Sequence, residues 1–352
     1  MKRKKIIALL AAATLTASLT VTGCGTAAAQ SASSVSTQSQ DSGTPGEDSA
    51  SDGSEETGSA AKTLLASTEV STENGDLITL VTDLDLDNMF TERDLSGEYD
   101  AETASVITLN QSSASVQGSG VTVDGSIITI TEAGTYIVSG TLSDGEIIVD
   151  AGDDAKVQIV LDNAEINHED GSAILVKSAD KVFLTLAADS ENTLSDGGGE
   201  YTQDEEVDST IDGVIYSTST LTLNGSGSLT VKAEYSNAIV CKDDLKITGG
   251  SYELTAANKG IDANDSIRIT NAVINITAGD DGIHSDTEDK EGKGYIYIES
   301  GTLTIAAGDD GIHAATALLI LDGTIDVTES CEGLEGDTID IQGGEITVVA
   351  SD

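Results

Sequence analysis

Residues 278–285 read AGDDGIHS, and residues 307–314 read AGDDGIHA. On both sides of each copy lie short runs in which aliphatic residues alternate with polar ones, a pattern typical of strands joined by tight Gly and Asp turns. The neighbouring sequence lacks the periodicity of an amphipathic helix. The two copies therefore predict a repeating β structure.

A longer repeat surrounds these two copies. Six segments with aliphatic residues at their first and third positions start 24, 22, 29, 22 and 21 residues apart, and the 29-residue step holds a charged insertion at residues 286–293. A period near 22 without a helix is typical of one coil of a parallel β-helix, whereas the Leu/Asn consensus of leucine-rich repeats is missing. We therefore predict an all-β, single-stranded parallel β-helix, a solenoid with coils of about 22 residues. The six segments are Leu221–Leu223, Leu245–Ile247, Ile267–Ile269, Ile296–Ile298, Leu318–Ile320 and Ile339–Ile341.

Stacked coils should bury one aliphatic residue per coil in an internal ladder. Its predicted members are Val214, Ile239, Ile261, Ile283, Ile312 and Leu334. The chain from about residue 64 is less regular until short strands begin near residue 121, and this segment includes MFTERD at residues 89–94, which we interpret as an N-terminal cap. Cys241 and Cys331 lie four coils apart, roughly 19 Å, which is too far for a disulfide.

The chain divides into three parts. Basic residues 2–5, an apolar run at residues 6–19 and VTGC at residues 21–24 predict a lipoprotein signal peptide at 1–24, with lipid attached to Cys24; the alternative is an ordinary signal peptide with an incidental cysteine. Residues 25–62, rich in Ser, Ala and Gly, predict a disordered tether with a reach of about 35 Å. Residues 63–352 form the predicted β-helix domain, and we expect it to be truncated at its C-terminus because the last residues align with the middle of a repeat. These features predict an extracellular protein that is lipid-anchored at the bacterial cell surface.

The mature chain predicted in this way is strongly acidic, with 62 Asp and Glu against 12 Lys and Arg, a net charge of −50. Such a surface repels nucleic acid, which we exclude as a partner, and anionic lipid headgroups. Self-repulsion of this size also destabilises a compact state. We therefore expect an elongated monomer whose charge is partly neutralised by bound cations.

Oxygen-bearing side chains dominate the turns before the ladder residues, and the turns before Ile283 and Ile312 each carry two carboxylates. Stacking should place Asp280 and Asp281 one coil from Asp309 and Asp310, and two carboxylates one coil apart repel by ~3–4 kcal/mol at an effective dielectric constant of about 20. Ca²⁺ takes six to eight oxygen ligands in loose geometry and suits such a turn. The predicted cofactor is therefore calcium. Its predicted ligands are Asp262, Asp280, Asp281, Asp309, Asp310 and Glu335.

Two other interpretations of these turns stay open. Asp is common in tight turns because its side chain bonds the local main chain, so the repeated Asp-Asp-Gly could be solvated turn chemistry alone. His284 and His313 should stack beside the carboxylates and could bind zinc, although no thiolate joins them.

An ordered series of motifs resembles the clostridial carbohydrate-binding β-helix family that is related to pectate lyases. The series consists of MFTERDLSG at 89–97, GTY at 134–136, VFLTL at 182–186, ENT at 191–193 and the two DDGIH turns, so the resemblance extends over about residues 65–352. It implies a right-handed parallel β-helix, bound calcium and affinity for plant cell-wall polysaccharide, with acidic pectin or polygalacturonate included and cellulose possible. The chain has no Trp for a flat aromatic row, so Tyr295 and Tyr297 are the candidates for a partial sugar platform, with Lys259 as a further contact.

Together these features predict calcium-dependent binding of polysaccharide rather than catalysis, because calcium can bridge the carboxylates of two acidic partners. The first alternative is an enzyme on the same scaffold. It would be a polygalacturonate lyase that uses Lys259 or Arg268 as its base, or a glycosidase that uses paired carboxylates. The second alternative is an adhesin or a surface spacer without ligand chemistry.

Overall fold

The computed structural model describes residues 84–287 and 292–351. In this part of the chain 26 strands belong to one sheet, and the helical structure consists of a 3₁₀ turn at Leu86–Asn88 and one short helix, α1, at Glu92–Leu95. None of these helical segments is long and apolar enough to cross a membrane. The all-β prediction is confirmed. The predicted signal peptide, Cys24 and the tether at residues 25–62 lie outside the described residues.

The sheet begins with antiparallel strand pairs. It continues as three rows of parallel strands, in which each strand pairs with the strand of the next coil. Strand β1 (Ser105–Gln111) pairs antiparallel with β2 (Ala114–Gln117), and β3 (Val121–Asp124) pairs antiparallel with β4 (Ile127–Ile130). Row 1 then consists of β4, β6 (Glu146–Asp150), β8 (Ile174–Ser178), β11 (Gly213–Ser217), β14 (Asn237–Cys241), β17 (Ile261–Ala263), β20 (Ile283–Ser285) and the first parts of β23 (Ile312–Ile320) and β25 (Leu334–Ile341). Row 2 consists of the first parts of β1, β5 (Gly134–Leu142) and β7 (Lys156–His168), then β9 (Lys181–Leu186), β12 (Thr220–Gly225), β15 (Asp244–Ile247), β18 (Ser266–Ile269), β21 (Tyr295–Ile298) and the last parts of β23 and β25. Row 3 consists of the last parts of β5 and β7, then β10 (Glu191–Asp196), β13 (Ser228–Ala233), β16 (Ser251–Ala256), β19 (Val273–Ala278), β22 (Thr302–Ala306), β24 (Thr324–Glu329) and β26 (Glu345–Val348).

The register of the rows follows the sequence repeat. Leu245–Ile247 pairs in parallel with Leu221–Leu223 on one side and with Ile267–Ile269 on the other. The same register continues through the remaining repeat segments to Ile339–Ile341. One strand from each row therefore makes a coil, and the large, mostly parallel sheet is compatible with a β-helix solenoid.

The aliphatic ladder forms the core with one correction. From Ile239 to Leu334 its members pair coil to coil and are buried. The prediction for Val214 was wrong, because Gly213 pairs with Asn237 and the register therefore places Ile215 opposite Ile239. Val214 is buried as well.

The residue directly before a ladder residue must be small, because successive coils approach each other closely at this position. A Cβ atom added to Gly282 would lie 2.4 Å from Cγ2 of Ile305 and 2.6 Å from the carbonyl oxygen of Gly311. Gly311 is equivalent one coil further on: a Cβ atom added to it would lie 2.6 Å from the carbonyl oxygen of Gly333. The recurring Gly-aliphatic pair thus reflects steric exclusion of a side chain.

Residues 84–98, which we call the N-terminal strap, lie along row 2. Met89 packs with Tyr295, Tyr297 and Leu319 in a buried cluster, and farther along the strap the carbonyl oxygen of Glu98 accepts a hydrogen bond from Gln158 at 3.2 Å. The interpretation of residues 89–94 as an end cap was therefore wrong. The pairs β1–β2 and β3–β4 lie at the start of the sheet instead.

Candidate functional site

One line of side chains on row 1, which we call the row 1 column, leads to the site. Strand pairing aligns its members from coil to coil, and they alternate with the ladder residues of the main core, so they lie on the opposite face of the strands. The members are Ile148, Leu175, Tyr216, Val240, Asp262, His284, His313 and Glu335. The column is apolar in its first half and polar in its second half.

The Asp-Asp-Gly turns lie beside the polar half of the column. Asp281 and Asp310 are each 4% exposed, and the backbone N–H of Asp310 donates a hydrogen bond to Oδ1 of Asp281 at 3.1 Å. Asp280 is partly exposed and Asp309 is exposed. The structure thus brings the four predicted turn carboxylates together and buries two of them.

The potential ligand atoms form three groups that share residues, and within each group the atoms lie within 4.8 Å of one another. One group contains oxygen ligands only, and the other two combine carboxylates with imidazoles. We call all of these residues together the acidic cluster. The groups are Asp280, Asp281 and Asp309; Asp281, His284 and His313; and Asp310, His313 and Glu335.

Two carboxylates of the acidic cluster, Asp309 and Glu335, have raised pKa values. Burial raises the pKa of Asp309, and the charges of Asp281 and Asp280 add to the increase. Burial also raises the pKa of Glu335, with a further contribution from Asp310. A bound cation would favour the charged form of both groups.

Asp310 has one oxygen atom without a partner. Its Oδ2 lies 3.3 Å from Nδ1 of His313, which in turn lies 3.8 Å from Oε2 of Glu335. Its Oδ1 is buried and has no hydrogen-bond partner among the described residues. The contact with Asp310 raises the pKa of His313, and it engages only one of the two oxygen atoms of the carboxylate.

Lys259 and Asp262 both contact residues of the acidic cluster. Lys259 contacts Asp281 and lies 3.1 Å from Asp280, so it neutralises part of the acidic cluster. Although burial opposes its charge, these contacts raise the pKa of Lys259. Asp262 lies outside the three ligand groups, because its Oδ1 is 2.7 Å from Nδ1 of His284. Asp262 therefore holds the imidazole of His284 by a hydrogen bond, and this contact uses one of the oxygen atoms that could bind a metal.

The predicted aromatic platform is not on the surface. Tyr295 is 5% exposed and Tyr297 is 2% exposed, and both lie beneath the N-terminal strap in a cluster with Met89. The structure thus corrects the prediction that these two side chains contact sugar. The signal that was missed is the apolar pair Met89-Phe90 in an otherwise acidic segment, which needs an apolar surface to pack against.

Neither of the predicted lyase bases is placed to act as one. The contacts of Lys259 with Asp281 and Asp280 raise its pKa and so oppose the loss of its proton. Arg268 lies under the strap, where it donates to the carbonyl oxygen of Met89 at 3.2 Å and to Asp244 at 2.9 Å.

His284 and His313 belong to the candidate site, although the predicted ligand set left them out. Their rings contact each other edge to face, with centroids 5.0 Å apart. The sequence signal was their position three residues after Asp281 and Asp310 in the same repeat. Carboxylate-only positions suit a hard cation such as Ca²⁺, whereas positions with imidazole suit Zn²⁺ or related metals. The arrangement can therefore hold at least one divalent cation on chemical grounds.

Comparison with known proteins defines the class first. A solved structure described as the polysaccharide lyase-like protein from C. thermocellum, gadolinium derivative, superimposes with a TM-score of 0.58 at 32% sequence identity and covers 70% of this chain and 95% of that chain. The fold is therefore that of a polysaccharide lyase-like, all-β protein.

The sequence comparisons define the family. A carbohydrate-binding domain-containing protein of Acetivibrio thermocellus is 38% identical over 137 residues, which is 39% of this chain, and the match spans about half (48%) of that relative's length. The family model described as carbohydrate-binding domain-containing protein matches residues 124–352. This chain belongs to that family, and the family resemblance seen in its motifs is confirmed.

Proposed function

We propose that this protein is a calcium-dependent receptor for acidic cell-wall polysaccharide of the pectin type, built as a closed right-handed β-helix and held at the bacterial surface by lipid on Cys24. Membership of a carbohydrate-binding family supports the sugar class. The predicted signal peptide and tether support the location. The acidic cluster is the proposed contact with the polysaccharide.

The observation that carries the proposal is Oδ1 of Asp310, which is buried without a partner among the described residues, in a residue whose backbone N–H donates to Asp281. A buried carboxylate oxygen that lacks a donor or a cation costs free energy. Calcium would supply positive charge beside this turn, with Asp280, Asp281 and Asp309 as the group of oxygen ligands that lie within 4.8 Å of one another.

Net charge supports a bridging role for the cation. The chain carries −46, and polygalacturonate is itself a polyanion, so the two surfaces repel each other without a counterion. Calcium accepts more oxygen ligands than the cluster's three-carboxylate group supplies, which leaves positions for uronate carboxylates. The related solved protein is described as a gadolinium derivative, and gadolinium is another hard cation that prefers oxygen ligands.

A pull-down on immobilised polygalacturonate tests the proposal. We expect binding with calcium, its loss in excess chelator, and its loss in the variants Asp281→Asn and Asp310→Asn. Asp326→Asn is the matched control, because Asp326 lies on row 3 and forms no ion pair with any described residue. Binding that persists in chelator would contradict the proposal.

The same samples separate binding from lyase activity. Incubation with polygalacturonate should release no unsaturated uronate, because Lys259 and Arg268 are both engaged in other contacts. Release of unsaturated product that depends on Lys259 would favour the enzyme instead.

A further inference from the structure

A pocket lies on row 1 at some distance from the acidic cluster, and residues 197–212 form one of its walls. In this loop Tyr201 and Ile211 pack against Leu175 and Tyr216 of the row 1 column. The loop joins β10 to β11 and interrupts the sequence repeat. It covers the apolar half of the column.

The wall is held in place by hydrogen bonds and by the ion pairs of Lys177 with Asp204 and Glu206. The side chain of Gln203 donates to the carbonyl oxygen of Ile211 at 2.9 Å and accepts from its N–H at 2.7 Å. Lys177 on β8 lies 2.8 Å from Asp204. The hydroxyl of Tyr201 donates to Asp196 at 2.8 Å. The loop is therefore fixed at several points rather than at its ends alone.

The cavity between the loop and strands β4, β6 and β8 has a volume of about 560 Å³. This volume falls in the range of small-molecule sites in proteins. Ile127, Leu175 and Ile211 supply an apolar lining, and the polar lining includes carboxylates and one imidazole. The polar residues are Glu146, His168, Asp170, Gln203, Asp204 and Glu205.

Most of these polar groups already have partners in the protein. Nδ1 of His168 lies 3.0 Å from the carbonyl oxygen of Ser172, and Asp204 pairs with Lys177. Glu146 differs, because no hydrogen bond or ion pair holds its carboxyl group among the described residues. Burial raises the pKa of Glu146, which His168 partly offsets and Asp204 reinforces. His168 and Lys177 therefore offset only part of the cost of its charge, and no donor contacts the carboxyl group directly among the described residues.

We propose that this pocket binds a protonated amino sugar, such as a glucosamine unit of a polysaccharide, with its ammonium group against Glu146. The ring would pack on the apolar lining, and its hydroxyl groups would donate to Asp170 and Glu205. No metal-ligand group includes a pocket residue within the described part of the chain, so separated donors fit these carboxylates better than a single ion. This site needs no cation and is independent of the acidic cluster.

The two sites share one surface. The row 1 column runs from Leu175 at the pocket to His313 at the acidic cluster in five coil steps, which amount to about 24 Å. The loop at residues 197–212 covers Tyr216 and Val240, the column members between the two sites, so the pocket and the cluster are two separate openings along the column. The pocket selects a cationic sugar. The acidic cluster selects an anionic sugar through bound calcium.

Calorimetric titration with a glucosamine tetramer in chelator tests the inference. We expect saturable one-site binding, weakened about tenfold or more by Glu146→Gln, which removes the charge-assisted contact and keeps the shape. Asp326→Asn removes one charge elsewhere and should leave the affinity unchanged, which separates the pocket from general attraction to an acidic protein. Circular dichroism checks that each variant is folded.

Three results would overturn the inference: no saturable binding by the wild type, equal loss in both variants, or equally tight binding of neutral cellotetraose. Calcium-dependent retention on polygalacturonate should survive Glu146→Gln. A failure of the pocket therefore cannot be confused with a failure of the acidic cluster.

Discussion

Two buried aspartates have opposite surroundings in this chain. Asp94 is fully buried and contacts Lys181, lies 3.1 Å from Lys246 and accepts a hydrogen bond from Thr222 at 2.9 Å. Asp310 is 4% exposed, and one of its oxygen atoms has no partner. The protein itself supplies the cations and donors that stabilise the carboxylate of Asp94. The carboxylate of Asp310 lacks a partner for one of its oxygen atoms among the described residues.

This contrast predicts that the same substitution destabilises the protein to very different degrees at the two positions. Asp94→Asn should lower the free energy of unfolding by about 3–5 kcal/mol, because it leaves two buried lysines without their counterion. In chelator, Asp310→Asn should cost much less, because it removes a charge that is only half compensated. Urea unfolding of both variants, with Asp326→Asn as the control, measures the difference. Equal destabilisation by the two substitutions would contradict this account of Asp310.

At single positions, prediction from sequence worked where the repeat fixes the register. The column that contains Asp262, His284, His313 and Glu335 follows from spacing alone, because residues one coil apart must pair. Spacing does not show which partner a side chain chooses for its hydrogen bonds and ion pairs. The pairing of Asp262 with His284, and of Lys259 with Asp281, depends on rotamers that the repeat does not encode.

The N-terminal strap is the element that the periodic pattern could not place. It has no repeat, so its position depends on which exposed face of the solenoid matches it. That face is row 2, which presents Lys181, Lys246 and Arg268 to the strap's acidic helix and carbonyl groups. The strap packs closely there, since a Cβ atom added to Gly97 would lie 2.6 Å from Cα of Gly225.

Burial of the tyrosines beneath the strap gives a second prediction. Tyr297→Ala should lower the free energy of unfolding by about 3–5 kcal/mol, as expected for removing a large ring from a packed cluster. Retention on polygalacturonate should be unchanged below the unfolding transition, because the ring does not reach the surface. A folded variant that loses polysaccharide binding would show that the ring contacts sugar after all.

The strap should also be sensitive to acid. Burial alone would raise the pKa of Asp94, but Lys181, the backbone N–H of Thr91 and Lys246 outweigh it and hold the pKa well below its usual range. A carboxyl group with a lowered pKa stabilises the fold above its unfolded pKa, about 3.9, and loses that contribution as pH falls towards the folded value. The stability difference between the wild type and Asp94→Asn should therefore shrink below about pH 4, as measured by urea unfolding at a series of pH values. A difference that is constant between pH 7 and pH 3 would contradict the assignment.

At the scale of the whole molecule, stacking explains both the stability and the charge pattern. The repeat places like side chains over one another, which makes an aliphatic ladder on the core face of row 1 and collects carboxylates at its turns. Coil period and strand register could be read from the sequence, because both depend on local spacing. The strap and the pocket loop could not, because each is a non-repeating segment whose position depends on a distant surface.

The central claim is that stacked turn carboxylates form a cation site, and calcium titration by calorimetry tests it most directly. The wild-type protein, freed of metal by chelator and dialysis, should bind calcium saturably, and the doubly substituted variant Asp281→Asn, Asp310→Asn should lose that binding while Asp326→Asn keeps it. Wild-type protein that takes up no calcium, or a double variant that binds it as well as the wild type, would contradict the account.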